Sequence, residues 1–228
     1  MLLEEKYKLS EELRTDEITP YYEHLQNRKV SLFVKRAFDL VVSLIILTIF
    51  LPVLLIIAIA IKLDSPGTVF YRQERVTTYG RIFRIFKFRT MVSNADKIGT
   101  LVTVSNDSRI TRVGHFLRKY RLDEIPQLIN ILTGDMSFVG TRPEVKKYVD
   151  RYSEEMYATL LMKAGVTSLA SIKYKDEDTL LKSAENADET YVNEILPEKM
   201  KYNLEYIRKF SFWYDIKLMF MTFFAVIR

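Results

Sequence analysis

The most uneven feature of the chain is a run of 22 residues, Leu40 to Ile61, that carries no formal charge and is mostly Leu, Ile, Val and Ala. A bilayer-spanning helix needs about 20 such residues, and a soluble helix apolar on every side needs a much larger protein around it. The pattern therefore predicts membrane insertion. Pro52, near the middle, removes one backbone hydrogen bond and predicts a bend. Before this run, residues 1–33 are polar with scattered apolar positions and read as a polar N-terminal extension. Acidic residues come first and the apolar run comes late, unlike a secretory signal. Beyond it, Asp64-Ser65-Pro66-Gly67 reads as a turn, and residues 68–76 and 81–90 as two strands of a hairpin closed near Gly80. Pro126 to Thr133 predicts a helix with Gly134 as its stop. Residues 145–162 and 190–209 predict helices with one apolar face. Residues 210–227 predict a C-terminal helix too short in uncharged length to span. With Trp213 and Tyr214 at its start it suits the membrane interface, the competing reading being a buried core helix.

Charge refines the topology. Arg28, Lys29, Lys35 and Arg36 precede the apolar run, and Lys62, Arg72, Arg75 and Arg81 follow it. Positive flanks prefer the cytoplasm, so a simple crossing satisfies one flank, whereas a bent helix that enters and leaves on the cytoplasmic side satisfies both. An ordinary spanning helix with a tolerated proline is the alternative. The chain divides on this reading into the extension at 1–33, a membrane helix at 34–62 and a catalytic domain at 63–228. The net charge of +5 is concentrated at residues 62–121, with thirteen bases against four acids. A basic stretch directly after a membrane segment points to anionic lipid or a phosphorylated ligand. No RNP, zinc-finger or bZIP pattern points to nucleic acid. There are no cysteines and only two distant histidines, His24 and His115, which removes disulfides and Cys or His metal sites.

Three segments carry candidate chemistry. In Arg118-Lys119-Tyr120-Arg121-Leu122-Asp123-Glu124-Ile125-Pro126, two acids stand at the entrance of the predicted helix, with three bases just upstream. Helix dipoles and free N–H groups favour negative charge there, so the entrance suits ionised carboxylates, phosphate oxygens and a shared divalent cation. Adjacent acids do not share one helix face. One is suited to attack phosphorus and the other to hold metal; an acidic helix cap paired to arginines is the plain alternative. In Gly140-Thr141-Arg142-Pro143, Gly140 permits a tight turn and Pro143 fixes the backbone after Arg142, holding a guanidinium for phosphate. Asp176-Glu177-Asp178 formally matches the D-x-D pattern of metal-dependent glycosyltransferases, a weak match in a polar loop. With seven glycines in the chain, P-loop and dinucleotide-binding loops find no match.

Taken together, the segments resemble the bacterial sugar transferases, or monotopic phosphoglycosyl transferases, from about Phe33 to the C-terminus. The likeness rests on Val34-Lys35-Arg36-Ala37-Phe38-Asp39, Pro52, Phe86-Lys87-Phe88-Arg89-Thr90-Met91, Leu122-Asp123-Glu124-Ile125-Pro126-Gln127 and, most densely, Gly134 to Pro143. It implies an α+β fold: a kinked re-entrant membrane helix plus a small cytoplasmic domain of helices and a short β-hairpin, with interfacial amphipathic helices. It also implies an enzyme at the cytoplasmic face of the bacterial inner membrane. Asp123 would take a sugar phosphate from a UDP-sugar, releasing UMP, and pass it to polyprenyl (undecaprenyl) phosphate, starting capsule, exopolysaccharide or glycan assembly. Glu124 would hold Mg²⁺, with Lys87, Arg118, Arg142 and Pro143 in the phosphate-binding site. Membrane lipids are implied partners; self-association and downstream glycosyltransferases stay open. The chain departs from the family at Thr141, where Pro is common, and across Ala164 to Tyr174, which leaves the sugar open. Two other readings compete: a metal-dependent glycosyltransferase using Asp176 and Asp178 and releasing UDP, and a non-catalytic membrane scaffold.

Overall fold

The computed structural model describes residues 3–95, 107–174 and 186–227. Its organising element is a 36-residue helix, α2 (Lys29–Asp64), preceded by α1 (Thr19–Gln26). At 1.5 Å per residue α2 is about 54 Å long. It is continuous through Pro52 and long and apolar enough to cross a membrane by length and composition. Its buried residues Leu32, Lys35, Asp39, Ser43, Ile57 and Ile61 fall three or four apart, or whole turns apart, and so lie on one stripe. Ile46, Leu47, Leu54 and Ala58 continue that stripe against the body. The opposite face exposes Val41, Leu44, Ile45, Ile49, Ile56 and Ile59. The helix thus rests on the protein toward both ends, while residues 48–53 around Pro52 are exposed on every face, and its uncovered apolar surface goes far beyond the scattered exposure of ordinary surfaces.

Both ends of α2 are tied to the same body. Near its start, Arg36 donates to the carbonyls of Ile131 (2.7 Å) and Leu132 (3.3 Å), and Asp39 accepts from the Phe138 amide at 3.3 Å. At its far end, Asp64 accepts from the Val113 amide at 2.9 Å. The buried Arg89 donates to the carbonyls of Ser65 (2.7 Å) and Pro66 (3.0 Å).

The hairpin forms as expected, from β1 (Phe70–Val76) and β2 (Ile82–Phe88), paired antiparallel with Phe70 opposite Phe88 and Val76 opposite Ile82. Tyr79 and Gly80 take positive φ in its turn. After α3 (Arg112–Lys119), α4 (Gln127–Thr133) starts at Pro126 and stops at Gly134 with φ 93°, as the sequence predicts.

The stretch from 136 to 173 departs from expectation. β3 (Met136–Val139) pairs in parallel with β4 (Ala164–Thr167), and only α5 (Lys146–Val149) and a 3-10 segment, Glu155–Leu161, stand where a longer helix was expected. Four-residue strands carry too little period to be read, and the partner of a parallel strand lies beyond a long crossover. Gly140 sits at a bend, and its lack of a side chain is needed because a Cβ there would stand 2.2 Å from the Lys163 carbonyl oxygen across this pair.

After α6 (Leu169–Lys173), a helical turn at Ala187–Thr190 and a π-helical turn at Tyr191–Ile195 lead into α7 (Leu196–Arg208), and α8 (Phe212–Ile227) closes the fold. α8 is buried on one side and exposed on the other: Asp215 and Leu218 are buried, while Trp213, Phe220, Phe223 and Phe224 are exposed. The N-terminal residues are built into the core, where Leu9, Leu13, Ile18, Leu25 and Leu32 cluster with Leu161, Tyr206 and Phe210.

Candidate functional site

Chain reversal at Arg121 creates the site. α3 is capped by Thr111, whose hydroxyl accepts from the Gly114 amide at 3.0 Å, and it ends at Tyr120. Arg121 then takes a left-handed conformation, φ 56° and ψ 21°, which costs a non-glycine residue about 1 kcal/mol. The following 3-10 turn, Leu122–Glu124, carries the two acids just ahead of α4 rather than on its first turn. Asn130 fixes this turn against the hairpin: buried on α4, it accepts from the Phe86 amide at 2.7 Å and donates to the Arg84 carbonyl at 3.0 Å. Both bonds clamp β2 on either side of Ile85, and the next side chain along, Lys87, reaches Glu124 at 2.8 Å.

The two acids differ in environment. Asp123 is 8% exposed, and burial, then repulsion from Glu124, push its carboxyl above the ordinary aspartate value. Lys87, Arg118 and Arg121 pull the other way without overturning that direction. For Glu124, burial is again the largest single influence and raises its pKa. Lys87, by charge and hydrogen bond, together with Arg142 and Arg121, outweighs it and holds the carboxylate down at about 2. One acid is thus poised nearer to titration while its neighbour stays ionised, a division of roles that adjacency alone does not give.

Glu124 lines a cavity of about 750 Å³ with Arg121, Arg142 and Ser171. Asp123, Lys87, Arg118 and Pro143 do not reach that lining. Asp123 and Lys87 adjoin it through Glu124, and Arg118 acts on Asp123 by charge. Arg142 is oriented from two sides. Its amide donates to the Asn203 side chain at 3.4 Å, and its guanidinium donates to the Ser171 hydroxyl at 3.0 Å. Pro143 contributes a carbonyl, which accepts from Arg75 at 3.2 Å.

Sequence reasoning counted Arg121 as background charge and passed over Ser171 and Lys199. Lys199 lines the cavity from α7, 2% exposed, donating to the Tyr191 hydroxyl at 2.8 Å and pairing with Glu144 at 3.4 Å. A signal existed: Leu196, Lys199, Met200, Asn203, Leu204 and Ile207 form one stripe, and a lysine and asparagine on an apolar stripe mark buried polar partners. Asp176-Glu177-Asp178 lies outside the described residues.

Among the described residues no three His, Asp or Glu side chains converge on one point. Mg²⁺ needs no such cluster: it commonly takes one or two carboxylates and completes its shell with phosphate and water. Asp123 and Glu124 are the carboxylates at hand.

The Glu124–Lys87 pair sets a stability expectation. A carboxylate depressed from 4.5 to about 2 stabilises the fold above the unfolded value and loses that contribution as pH falls through the folded one. Glu124→Gln is therefore expected to cost about 1–2 kcal/mol above pH ~5, the difference from the parent vanishing toward pH ~2. Thermal unfolding of both proteins in detergent across that range checks it; a difference independent of pH would refute it.

A sequence model of the family described as bacterial sugar transferase matches residues 30–228. The chain is 40% identical over 200 residues to the UDP-glucose:undecaprenyl-phosphate glucose-1-phosphate transferase of Escherichia coli K12, covering 86% of this chain and 40% of that protein. It is 37% identical over 194 residues to the UDP-N-acetylgalactosamine-undecaprenyl-phosphate N-acetylgalactosaminephosphotransferase of Aeromonas hydrophila, covering 83% of this chain and 43% of that protein. A Caulobacter vibrioides UDP-glucose:undecaprenyl-phosphate glucose-1-phosphate transferase is 36% identical over 191 residues, covering 82% of this chain and 67% of that protein. The chain thus spans less than half the length of the first two relatives.

Proposed function

This chain belongs to the bacterial sugar transferase family, and from that membership we propose that it moves a sugar phosphate from a UDP-sugar to polyprenyl phosphate at the cytoplasmic face of the inner membrane. The observation that carries the proposal is the Asp123-Glu124 turn. It is set among Lys87, Arg118, Arg121 and Arg142 and opens on a cavity that membrane helix α2 helps to wall. The relatives' names supply the substrate classes, and since those names differ between glucose and N-acetylgalactosamine, the sugar is left open.

In the proposed reaction an oxygen of Asp123 attacks the β-phosphorus of the donor. The bond from that phosphorus to the oxygen bridging the α-phosphate breaks, and UMP leaves with the electron pair. The sugar phosphate stays on the carboxylate. A phosphate oxygen of the lipid then attacks the same phosphorus and frees Asp123, giving a polyprenyl diphosphate sugar. Two steps at one carboxylate suit substrates that arrive from different phases. Lys87, Arg118 and Arg121 favour the ionised nucleophile, and Arg142, steadied by Ser171 and Asn203, is placed to take diphosphate oxygens. Glu124 would hold Mg²⁺, which supplies positive charge against the phosphate oxygens.

The topology proposed with this reaction is re-entrant. A helix whose two ends rest on one polar body, while residues 48–53 around Pro52 are exposed on every side, cannot carry that body through hydrocarbon, so its uncovered middle enters from one side.

Incubating nanodisc-embedded protein with a panel of UDP-sugars, undecaprenyl phosphate and Mg²⁺ is expected to release UMP with at least one donor. Release of UDP instead would support the metal-dependent glycosyltransferase reading, and no nucleotide release from folded protein would sink the proposal.

A further inference from the structure

The cavity has a wall that a water-soluble donor does not require. Glu124, Arg121 and Arg142 form its polar end, but Ile46 and Phe50 of α2 face it from one side, and Phe223 and Ala225 of α8 from another. The two helices are pinned together near their starts, where Lys35 pairs with Asp215 and the rings of Phe38 and Phe212 meet edge to face at 5.5 Å. From that pin, Ile46 and Ala225 are each about 15 Å along their own helix. The helices therefore leave a shared base and border one crevice, whose outer rims, such as Ile49 and Phe224, are exposed and apolar. On the α8 side the wall is fixed by a hydrogen bond between the hydroxyls of Thr222 and Thr167 at 2.6 Å.

We propose that this crevice between α2 and α8 is the subsite for the isoprenoid chain of the acceptor, which enters sideways from the bilayer with its phosphate leading toward Arg121 and Arg142. The inference rests on the transfer reaction proposed above and adds to it the route and the residues. An anionic head joined to a hydrocarbon chain is the ligand that matches a cationic end continuous with an apolar slot open to lipid.

The physics of the slot decides the test. The chain passes from hydrocarbon to a hydrocarbon-like wall and gains no hydrophobic transfer energy, so the crevice guides rather than grips. Trimming its wall matters little, and filling it matters more. Ala225→Trp and Ile46→Trp are each expected to raise the KM for undecaprenyl phosphate about tenfold, the scale of a steric penalty of overpacking, with the KM for the UDP-sugar within about twofold. A readout that needs no turnover accompanies these. Asp123→Asn protein in nanodiscs, irradiated with a diazirine-bearing polyprenyl phosphate, is expected to be labelled within residues 45–51 or 220–227. Undecaprenyl phosphate should compete and phosphatidylglycerol should not. An acceptor KM within twofold of the parent in both tryptophan variants, or labelling elsewhere, would overturn the assignment. Equal competition by phosphatidylglycerol would make the crevice a general phospholipid site and overturn it too. If the parent protein releases no UMP from any donor, the transfer reading fails on its own, and the labelling still reports on the crevice.

Discussion

Asp123→Asn is expected to reduce sugar-phosphate transfer by roughly 10³-fold or more while leaving the protein at least as stable as the parent at neutral pH. The first half follows from chemistry: a carboxamide offers no carboxylate oxygen to form the phosphosugar adduct. The second half follows from the site's electrostatics. Burial, then the neighbouring Glu124, raises the Asp123 pKa. The folded protein then holds a proton more tightly than the unfolded chain between the two values, so stability falls as pH rises through that window. Above it the ionised carboxylate is a standing cost, which the amide removes. The acid limb of kcat/KM should accordingly lie above the ordinary aspartate value, since that limb reports the free enzyme. UMP release, transfer and thermal unfolding at neutral pH, measured on the same preparation, test both halves. Residual activity above a few per cent would dismiss Asp123 as nucleophile. A large drop in melting temperature would mean that the carboxylate is a structural partner rather than a strained functional group.

What the sequence made legible follows a physical division. The α4 boundaries, Pro126 and Gly134, were readable because they depend on backbone constraints that each residue carries by itself. The hairpin was readable because both strands and their turn are contiguous. The β3–β4 pair was not, because Met136 meets Ala164 only after a crossover, and Gly140 owes its identity to that distant backbone. The site divides the same way. Asp123, Glu124 and Arg142 announced themselves by local chemistry. Arg121's left-handed turn, Asn130's hold on β2 and the approach of Lys199 from α7 are products of tertiary packing. The N-terminal residues illustrate the limit in reverse: their average polarity hid Leu9, Leu13 and Ile18, spaced to reach a core formed by residues far along the chain.

Breaking the buried pair that pins α2 to α8 is expected to be the most costly single change to the fold. Lys35 donates to Asp215 and to the Val139 carbonyl at 2.7 Å, while Tyr206 donates to the same carboxylate at 2.9 Å. Both charged side chains are under 10% exposed. Lys35→Met leaves Asp215 buried beside the Tyr206 hydroxyl alone and leaves the Val139 carbonyl only a long 3.5 Å contact from that same hydroxyl, an expected loss of about 3–5 kcal/mol. Asp215→Leu strands the ammonium at a similar cost. Lys35→Met combined with Asp215→Leu removes both charges and should recover most of that loss, because paired burial barely repays its desolvation. Chemical denaturation of the two single variants and the double variant checks the cycle; single losses below 1 kcal/mol, or simple additivity in the double, would refute it. Packing alone gives little reason for retaining such a pair. On the membrane placement proposed above, apolar contacts between α2 and α8 are nearly interchangeable with lipid contacts and specify register poorly. A charge pair with one carbonyl and one hydroxyl as fixed partners tolerates a single register.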